Sequence, residues 1–168
     1  ERRVLACPAE ILFDSTKDDW SVSTSVFHEK VMNKEHIIII VEDVENNTFG
    51  YYLNTEIEKK YNQRQETDSK SFQFNLQSQN NRLDEPMKFE IKDLKESGIY
   101  LFEKSDEDLM YLGDIILGKE NRKNESFCKQ TENNFDYHGI QNALCGKEPN
   151  RYGGMHFTPK RILVIQMK

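Results

Sequence analysis

Cysteine is scarce in this sequence, and the few cysteines exclude a disulfide-dependent scaffold. The 168 residues include only three of them, Cys7, Cys128 and Cys145, an odd number with no CxxC pair. Small secreted domains that depend on disulfides contain more cysteines at closer spacing. We therefore expect a protein of a reducing compartment, the cytoplasm with the nucleus as an alternative.

Long apolar runs are also missing, which argues against a membrane-spanning helix of about 20 residues. The longest aliphatic run, at residues 37–41, is Ile-Ile-Ile-Ile-Val. The first residues show neither a signal-peptide pattern nor a starting Met. We expect one domain over residues 1–168, without membrane insertion, that forms the C-terminal part of a longer protein.

Motifs of the common enzyme and cofactor sites are absent as well. The sequence contains no GxSxG nucleophile turn, no GxxxxGK[ST] phosphate loop and no GxGxxG dinucleotide fingerprint. None of the four histidines stands four residues from another, and no cysteine pair has the spacing of a zinc site. We therefore expect no catalytic residue, no metal and no cofactor.

Charge is plentiful, and its sign changes along the chain. The net charge is −6, yet residues 119–168 contain nine basic and only five acidic residues. Basic residues interleaved with aromatic ones are typical of surfaces that bind nucleic acid through its phosphates and bases. A DNA-binding regulator therefore stays open as an alternative function, although an acidic chain disfavours nucleic acid overall.

Alternating and continuous apolar stretches predict a protein built mainly from β-strands. Residues 37–41 are β-branched throughout, so we expect a central strand that is covered on both faces. An Asn-rich turn and residues 48–53 complete a hairpin, in which Gly50 indicates a bulge or close backbone packing. Further strands are predicted around residues 11–13, 72–76, 87–91, 98–104, 109–118 and 161–167.

One amphipathic helix is predicted between the first two strands. Val22, Val26 and Val31 fall near helical spacing, the Ser-Thr pair at 23–24 can cap the start, and Asn33 can end the helix. Many short strands with one helix are typical of an antiparallel sandwich. The sequence therefore predicts a mostly β fold of the α+β kind, an antiparallel β-sandwich with helical decoration.

Polar loops on such a scaffold are the usual places for partner binding. Three loops stand out, DSTKDD at 14–19, KENRKN at 119–124 and KEPNRYGG at 147–154. The candidate partner-binding residues are Asp14, Lys17, Asp18, Asp19, Lys119, Arg122, Lys123, Arg151 and Tyr152.

Two cysteines give a third functional alternative, a peroxide-reactive protein. Cys128 could meet His138 or His156 in the fold, and Cys145 stands beside Gly146, where it could be exposed. A reactive thiol needs a lowered pKa. Both cysteines are therefore candidates for a redox role, and a buried, inert thiol is the plainer interpretation.

Six short stretches are informative because they occur in a particular order along the chain. They are the loop 14–19, Phe49-Gly50, Phe72-x-Phe74 after Ser71, Gly113-Asp114, Ser126-x-Cys128 and the stretch 157–167. In this order they resemble the TLDc domain, the C-terminal module of a family of oxidation-resistance proteins. The resemblance covers about residues 11–167. It departs from the family at Gln166-Met167, where a Glu and an aromatic residue are usual, and at Tyr51, where a small residue is usual.

The resemblance implies both a fold and a role. The fold is a two-sheet antiparallel β-sandwich with a few short helices. The role is that of a non-enzymatic protein-interaction domain in the response to oxidative stress. Several family members bind the vacuolar proton-pumping ATPase, so its subunits are the partners that the resemblance implies. The departures at Gln166 and Tyr51 concern the choice of partner more than the fold.

Overall fold

The computed structural model describes residues 9–78, 85–130, 133–145 and 155–168, and these residues form two antiparallel sheets of six strands each. With strands numbered along the chain, sheet A has the spatial order β1 (Ala9–Asp14), β12 (Pro159–Met167), β2 (Ile37–Asp43), β3 (Thr48–Leu53), β5 (Phe72–Gln77) and β6 (Met87–Glu90). Sheet B has the order β11 (Met155–His156), β10 (Phe127–Cys128), β9 (Ile115–Gly118), β8 (Asp108–Leu112), β7 (Ile99–Leu101) and β4 (Arg64–Gln65). The predicted two-sheet sandwich is confirmed.

Helices are short. α1 spans only Phe27–Val31, and a 3₁₀ helix spans Glu120–Glu125. The longer helix predicted from residue 22 is wrong, because Ser23 adopts a left-handed φ of 71° and the backbone before α1 follows a turn. Asn33 has a left-handed φ of 60°, which agrees with its predicted place at the helix end. Within the described ranges, no helix has the length and apolar character needed to cross a bilayer.

The core lies between the inner faces of the two sheets. Alternate residues of each strand point inward, as the two-residue period of a strand requires. The buried apolar residues contributed by sheet A include Phe13, Ile37, Ile39, Val41, Phe49, Tyr51, Leu53, Phe89, Ile162 and Val164. Those contributed by sheet B include Ile99, Leu101, Met110, Leu112, Ile115, Leu117 and Cys128.

Strand β2 is central, as predicted, but it is not covered on both faces. It lies between β12 and β3. Ile37 and Ile39 are fully buried, whereas Ile38 and Ile40 on the opposite face are only half-buried. The expectation of two covered faces is therefore wrong, because the second sheet packs against one face only.

Strand β5 has the opposite arrangement from a simple amphipathic strand. Its polar residues Gln73 and Asn75 face inward and are buried, whereas Phe72 and Leu76 lie on the outer face. The chain segment 133–145 supplies hydrogen-bond partners for the buried amides. For example, the Tyr137 hydroxyl donates to Gln73 Oε1 at 2.6 Å. Segment 133–145 therefore packs against the inner face of sheet A.

Gly50 and Gly113 are among the glycines at which a larger residue would not fit. A Cβ at Gly50 would lie 1.9 Å from the carbonyl oxygen of Ile39 and 2.8 Å from Cζ of Phe74. The predicted close packing at Gly50 is therefore confirmed. Gly113, which with Asp114 connects β8 to β9, has a φ of +61°, and a Cβ there would lie 2.6 Å from the ring of Phe135.

Candidate interaction surfaces

The first predicted loop begins with a residue that holds the fold together. Asp14 is only 4% exposed, and its carboxylate accepts a hydrogen bond from Arg161 Nη2 at 2.8 Å. The same carboxylate accepts from the backbone N–H of Thr16 at 3.0 Å. These donors, Arg161 first, hold the pKa of Asp14 well below its usual range. Asp14 therefore ties the loop to strand β12 and presents little of its charge to a partner.

The second predicted loop also begins with a buried residue. The Lys119 side chain has no exposed surface, and its Nζ donates to the carbonyl oxygens of Glu103 at 3.2 Å and Lys104 at 2.5 Å. Burial lowers the pKa of Lys119. Its ammonium group thus organises the loop at residues 103–108. A role for the Lys119 side chain in direct contact with a partner does not fit this placement.

The remaining residues of these two loops lie on neighbouring parts of the protein. The N–H of Val22 donates to Asn121 Oδ1 at 2.9 Å, and the N–H of Glu120 donates to the carbonyl of Trp20 at 3.1 Å. The loop after β1 and the 3₁₀ helix are therefore neighbours, although about 100 residues separate them in sequence. The predicted residues in this region are Lys17, Asp18, Asp19, Arg122 and Lys123. Arg151 and Tyr152 of the third predicted loop lie outside the described residues.

A second surface, which the sequence did not predict, lies on the outer face of sheet A. It is an apolar groove of about 380 Å³. Its lining residues are Ile38, Ile40, Tyr52, Phe72, Phe74, Leu76, Pro86, Met87 and Lys88. The outward positions of β2, β3 and β5 thus carry aliphatic and aromatic side chains where a two-layer sandwich usually carries polar ones.

The strand register explains the shape of this groove. Ile38 pairs with Tyr52, and Tyr52 pairs with Phe72, so three large side chains form one row across the sheet. In the next row Gly50 pairs with both Ile40 and Phe74. Because Gly50 has no side chain, the ring of Phe74 lies directly over it, with Cζ 2.8 Å from the position that a Cβ would take.

The apolar surface continues from the groove toward the other edge of the sheet. Ile165 of β12 pairs with Ile38 on one side and with Ile11 of β1 on the other. Ile11 is 62% exposed, and Leu76 at the far side of the groove is 45% exposed. We call this band, from Ile11 to the groove, the apolar outer face.

Charged groups border the apolar outer face on both sides. Lys88 Nζ lies 4.4 Å from the centre of the Phe72 ring, a cation–π contact, and 3.8 Å from Glu90 Oε1. At the other side, Arg161 is joined to Asp14. Lys88 is the charged residue that lines the groove itself, so a bound surface with a carboxylate at that end would be favoured.

The two candidate redox cysteines lie together in the core. Cys145 Sγ is 2.9 Å from Cys128 Sγ, and both residues are fully buried. Burial, reinforced by the neighbouring thiol, raises the pKa of Cys128 well above its ordinary value. Cys128 therefore lacks the lowered pKa expected of an independent reactive thiol. The sequence did not predict that Cys145 lies next to Cys128, because the two residues are 17 positions apart and form no CxxC motif.

Histidines do not assemble a metal site in the part of the chain that the structure describes, where no group of three or more His, Cys, Asp or Glu residues could hold an ion. His28 is only 4% exposed. Its Nε2 contacts the carbonyl oxygen of Phe102, and burial lowers its pKa. His28 is therefore a core residue that anchors α1.

Several cations of the basic C-terminal third are occupied by intramolecular contacts. Lys119 is buried, Arg122 lies 3.3 Å from Glu107, and Arg161 is paired with Asp14. Lys129 lies 5.7 Å from the centre of the Tyr111 ring. Of these cations, Lys119 is the one withdrawn from the surface, and Arg122 and Arg161 share their charge with an acidic neighbour.

Comparison with known families agrees with the resemblance seen in the sequence. The sequence model of the family described as the TLDc domain matches residues 2–144 of the 168 residues. Among curated proteins, none matches the chain significantly. The matched range includes both polar loops, the lining of the apolar groove and Cys128.

Proposed function

The chain belongs to the TLDc domain family, and on that premise we propose that it is a protein-interaction domain of the oxidation-resistance kind that binds its partner without catalysing a reaction. The observation that carries this proposal is the apolar outer face of sheet A. Large contiguous apolar patches on a folded protein usually mark places where another protein binds.

The composition of the groove supports a protein as its occupant. Tyr52, Phe72 and Phe74 are aromatic, and Met87 is a flexible apolar residue; both types are enriched in the centres of protein interfaces. Because every lining residue except Pro86 lies on a strand, the side chains of the groove hold nearly fixed positions before binding. This lowers the entropy lost on association.

In this proposal the partner is a subunit of the vacuolar proton-pumping ATPase, in the cytoplasm. Support comes from the family resemblance, since several oxidation-resistance proteins bind that pump. The subunit would place apolar side chains in the groove and a carboxylate near Lys88. The polar surface around Lys17 and Lys123 would form the outer part of the contact or remain in water.

A capture experiment with two matched variants tests the apolar surface. Leu76 lies in the groove and Leu94 lies outside it, and their exposed fractions are 45% and 42%. The tagged chain, Leu76→Glu and Leu94→Glu are incubated with nuclease-treated lysate of the source cell, and captured pump subunits are quantified. We expect Leu76→Glu to reduce capture about tenfold or more, since a buried charge costs at least about 1.4 kcal/mol at an interface. We expect Leu94→Glu to behave like the unmodified chain.

The outcomes separate the surface from the partner. Equal capture by Leu76→Glu and the unmodified chain would show that the apolar outer face is not the binding surface. In that case, a loss of capture in the double variant Lys17→Glu, Lys123→Glu would assign binding to the polar loops. If the unmodified chain captures no pump subunit, the proposed partner is wrong. Proteins captured from untreated lysate but not from nuclease-treated lysate would favour the DNA-binding alternative.

A further inference from the structure

The core contains a pair of thiols that the proposed function does not use. Cys128 is the last residue of β10 and pairs in register with Ile115 of β9 and Met155 of β11. Cys145 ends the described segment 133–145. With 2.9 Å between their sulfur atoms, closure to a disulfide of about 2.05 Å requires an approach of only about 0.9 Å.

Both thiols are held in place by the surrounding backbone contacts. Gln130 Nε2 donates to the carbonyl of Cys145 at 3.2 Å, and Gln130 Oε1 accepts from the N–H of Leu144 at 2.7 Å. From sheet A, Asn75 Nδ2 donates to the carbonyl of Ala143 at 2.8 Å. Cys145 is therefore positioned by contacts on two sides, and little conformational freedom remains to be lost when the sulfurs join.

We propose that Cys128 and Cys145 are a redox modification site, at which a hydroperoxide oxidises the two thiols to an intramolecular disulfide. In the first step, the sulfur of one cysteine, as a thiolate, attacks the O–O bond, becomes a sulfenic acid and releases an alcohol, or water when the oxidant is hydrogen peroxide. In the second step, the other sulfur attacks the sulfenic sulfur and displaces water. The dithiol loses two electrons and two protons, and the peroxide gains them to form water and an alcohol, or two waters from hydrogen peroxide.

The environment of the pair determines how fast this reaction proceeds. Burial raises the pKa of Cys128, and neither residue has exposed surface. Oxidation therefore requires transient opening of the turn at residues 142–145, in which Asn142 adopts a left-handed φ of 52°. The site thus responds slowly and to sustained oxidant, unlike an exposed low-pKa sensor thiol.

The disulfide would fasten a segment that touches both sheets. The N–H of Asp136 donates to the carbonyl of Glu90 at 2.8 Å in sheet A, and Asn134 Nδ2 donates to Asp114 Oδ1 at 3.1 Å in sheet B. A covalent link from Cys145 to β10 closes this segment into a ring. Because cross-linking restricts the unfolded chain, the oxidised form should melt at a higher temperature, by roughly 5–10 °C.

Intact-mass measurement on the folded chain tests the site. A Cys7→Ser variant removes the third thiol, and the purified, reduced protein is treated with hydrogen peroxide under native conditions. We expect a mass lower by two hydrogen atoms, a cross-linked peptide that contains Cys128 and Cys145, the higher melting temperature, and full reversal by dithiothreitol. A Cys145→Ala variant should show neither the mass loss nor the shift in melting temperature.

Three results would overturn the proposal. They are an unchanged mass after prolonged treatment of the folded protein, a mass increased by oxygen atoms without a cross-link, and a disulfide that forms only after denaturation. The cross-linked peptide is sought in the Cys7→Ser protein, so the test holds even if Cys145→Ala fails to fold. Because it uses no binding partner, it is independent of the capture experiment.

Discussion

Strands β2 and β5 belong to the same sheet, yet they bury different kinds of side chain. On its inner face β2 buries Ile39, and on its outer face it carries Ile38 and Ile40. β5 buries Gln73 and turns Phe72 to the outer face. Alternation of polar and apolar residues therefore defines two faces of a strand, but it does not decide which face is buried.

The reason lies in what each inner face meets. Ile39 belongs to the apolar cluster shared with sheet B, whereas the inner amides of β5 meet segment 133–145, which supplies a hydroxyl and backbone carbonyls. A buried amide needs hydrogen-bond partners, and this segment provides one for Gln73 Oε1 and two for Asn75 Nδ2. The apolar residues of β5 then face outward, where they join Ile38 and Ile40 in the apolar outer face.

The largest effect should come from a charge placed on the inner face of β2. Ile39→Asp buries a carboxylate without a cation, so we expect a loss of about 4 kcal/mol or more in the free energy of unfolding. Such a loss is a large part of the stability of a typical domain. Ile40→Asp, one residue later on the half-exposed face, should cost only about 1 kcal/mol. Urea denaturation of both variants measures the difference, and equal losses would contradict the assignment of the two faces.

A somewhat smaller effect is expected at Gly50 of β3, the strand that lies between β2 and β5. The Cβ introduced by Gly50→Ala would lie 1.9 Å from the carbonyl oxygen of Ile39, so the strands must separate. We expect a loss of about 3 kcal/mol, measured by thermal or urea denaturation.

Gly139→Ala is the control for this substitution. Gly139 has a φ of +74° but nothing within 4 Å of a Cβ, so only backbone strain of about 1 kcal/mol is added. If Gly50→Ala proved as stable as Gly139→Ala, β2 and β3 would not be packed as closely as described.

Local patterns in the sequence predicted much of the fold. The hairpin of β2 and β3 follows from a β-branched run and an Asn-rich turn, in which Asn46 indeed adopts a left-handed φ of 61°. The order of family landmarks gave the two-sheet sandwich. The helix was predicted too long because apolar spacing alone does not reveal that Asp19 accepts the N–H of Ser21 at 2.8 Å and directs a turn there.

The candidate surfaces were harder to predict because they depend on contacts between distant residues. Lys119 stands in a charged stretch, and only the carbonyls of residues 103 and 104 explain its burial. The apolar groove could have been inferred from the outward alternation of β5 only if the inward position of Gln73 were known. The cysteine pair depends on how β10 and the turn at 142–145 meet, which no spacing rule encodes.

A moderate, pH-dependent effect is expected at the edge of sheet A opposite β6. The hydrogen bond from Arg161 lowers the pKa of Asp14 in the folded protein, while an Asp in the unfolded chain titrates near its ordinary value of about 3.9. The contribution of Asp14 to stability is therefore complete above that value and is lost as the pH falls below it. Melting temperatures from pH 6 down to about pH 2.5 should decrease less steeply for Asp14→Asn than for the unmodified chain. Parallel melting curves for the two proteins would show that the pairing of Asp14 with Arg161 adds no pH-dependent stability.

The smallest effect on stability should come from the outer face of β5, which carries the apolar residues of that strand. Leu76 is 45% exposed, so Leu76→Gln should change the free energy of unfolding by no more than about 0.5 kcal/mol. The same substitution removes apolar surface from the groove and should reduce the fluorescence of a dye that binds exposed apolar patches, such as anilinonaphthalene sulfonate. Leu94→Gln is the matched control, since Leu94 has a similar exposed fraction but does not line the groove. Equal dye binding by the two variants would mean that the outward residues of β5 do not form a shared apolar surface. A selective decrease for Leu76→Gln, with stability retained, would separate the residues that hold the sheet together from those that it presents for binding.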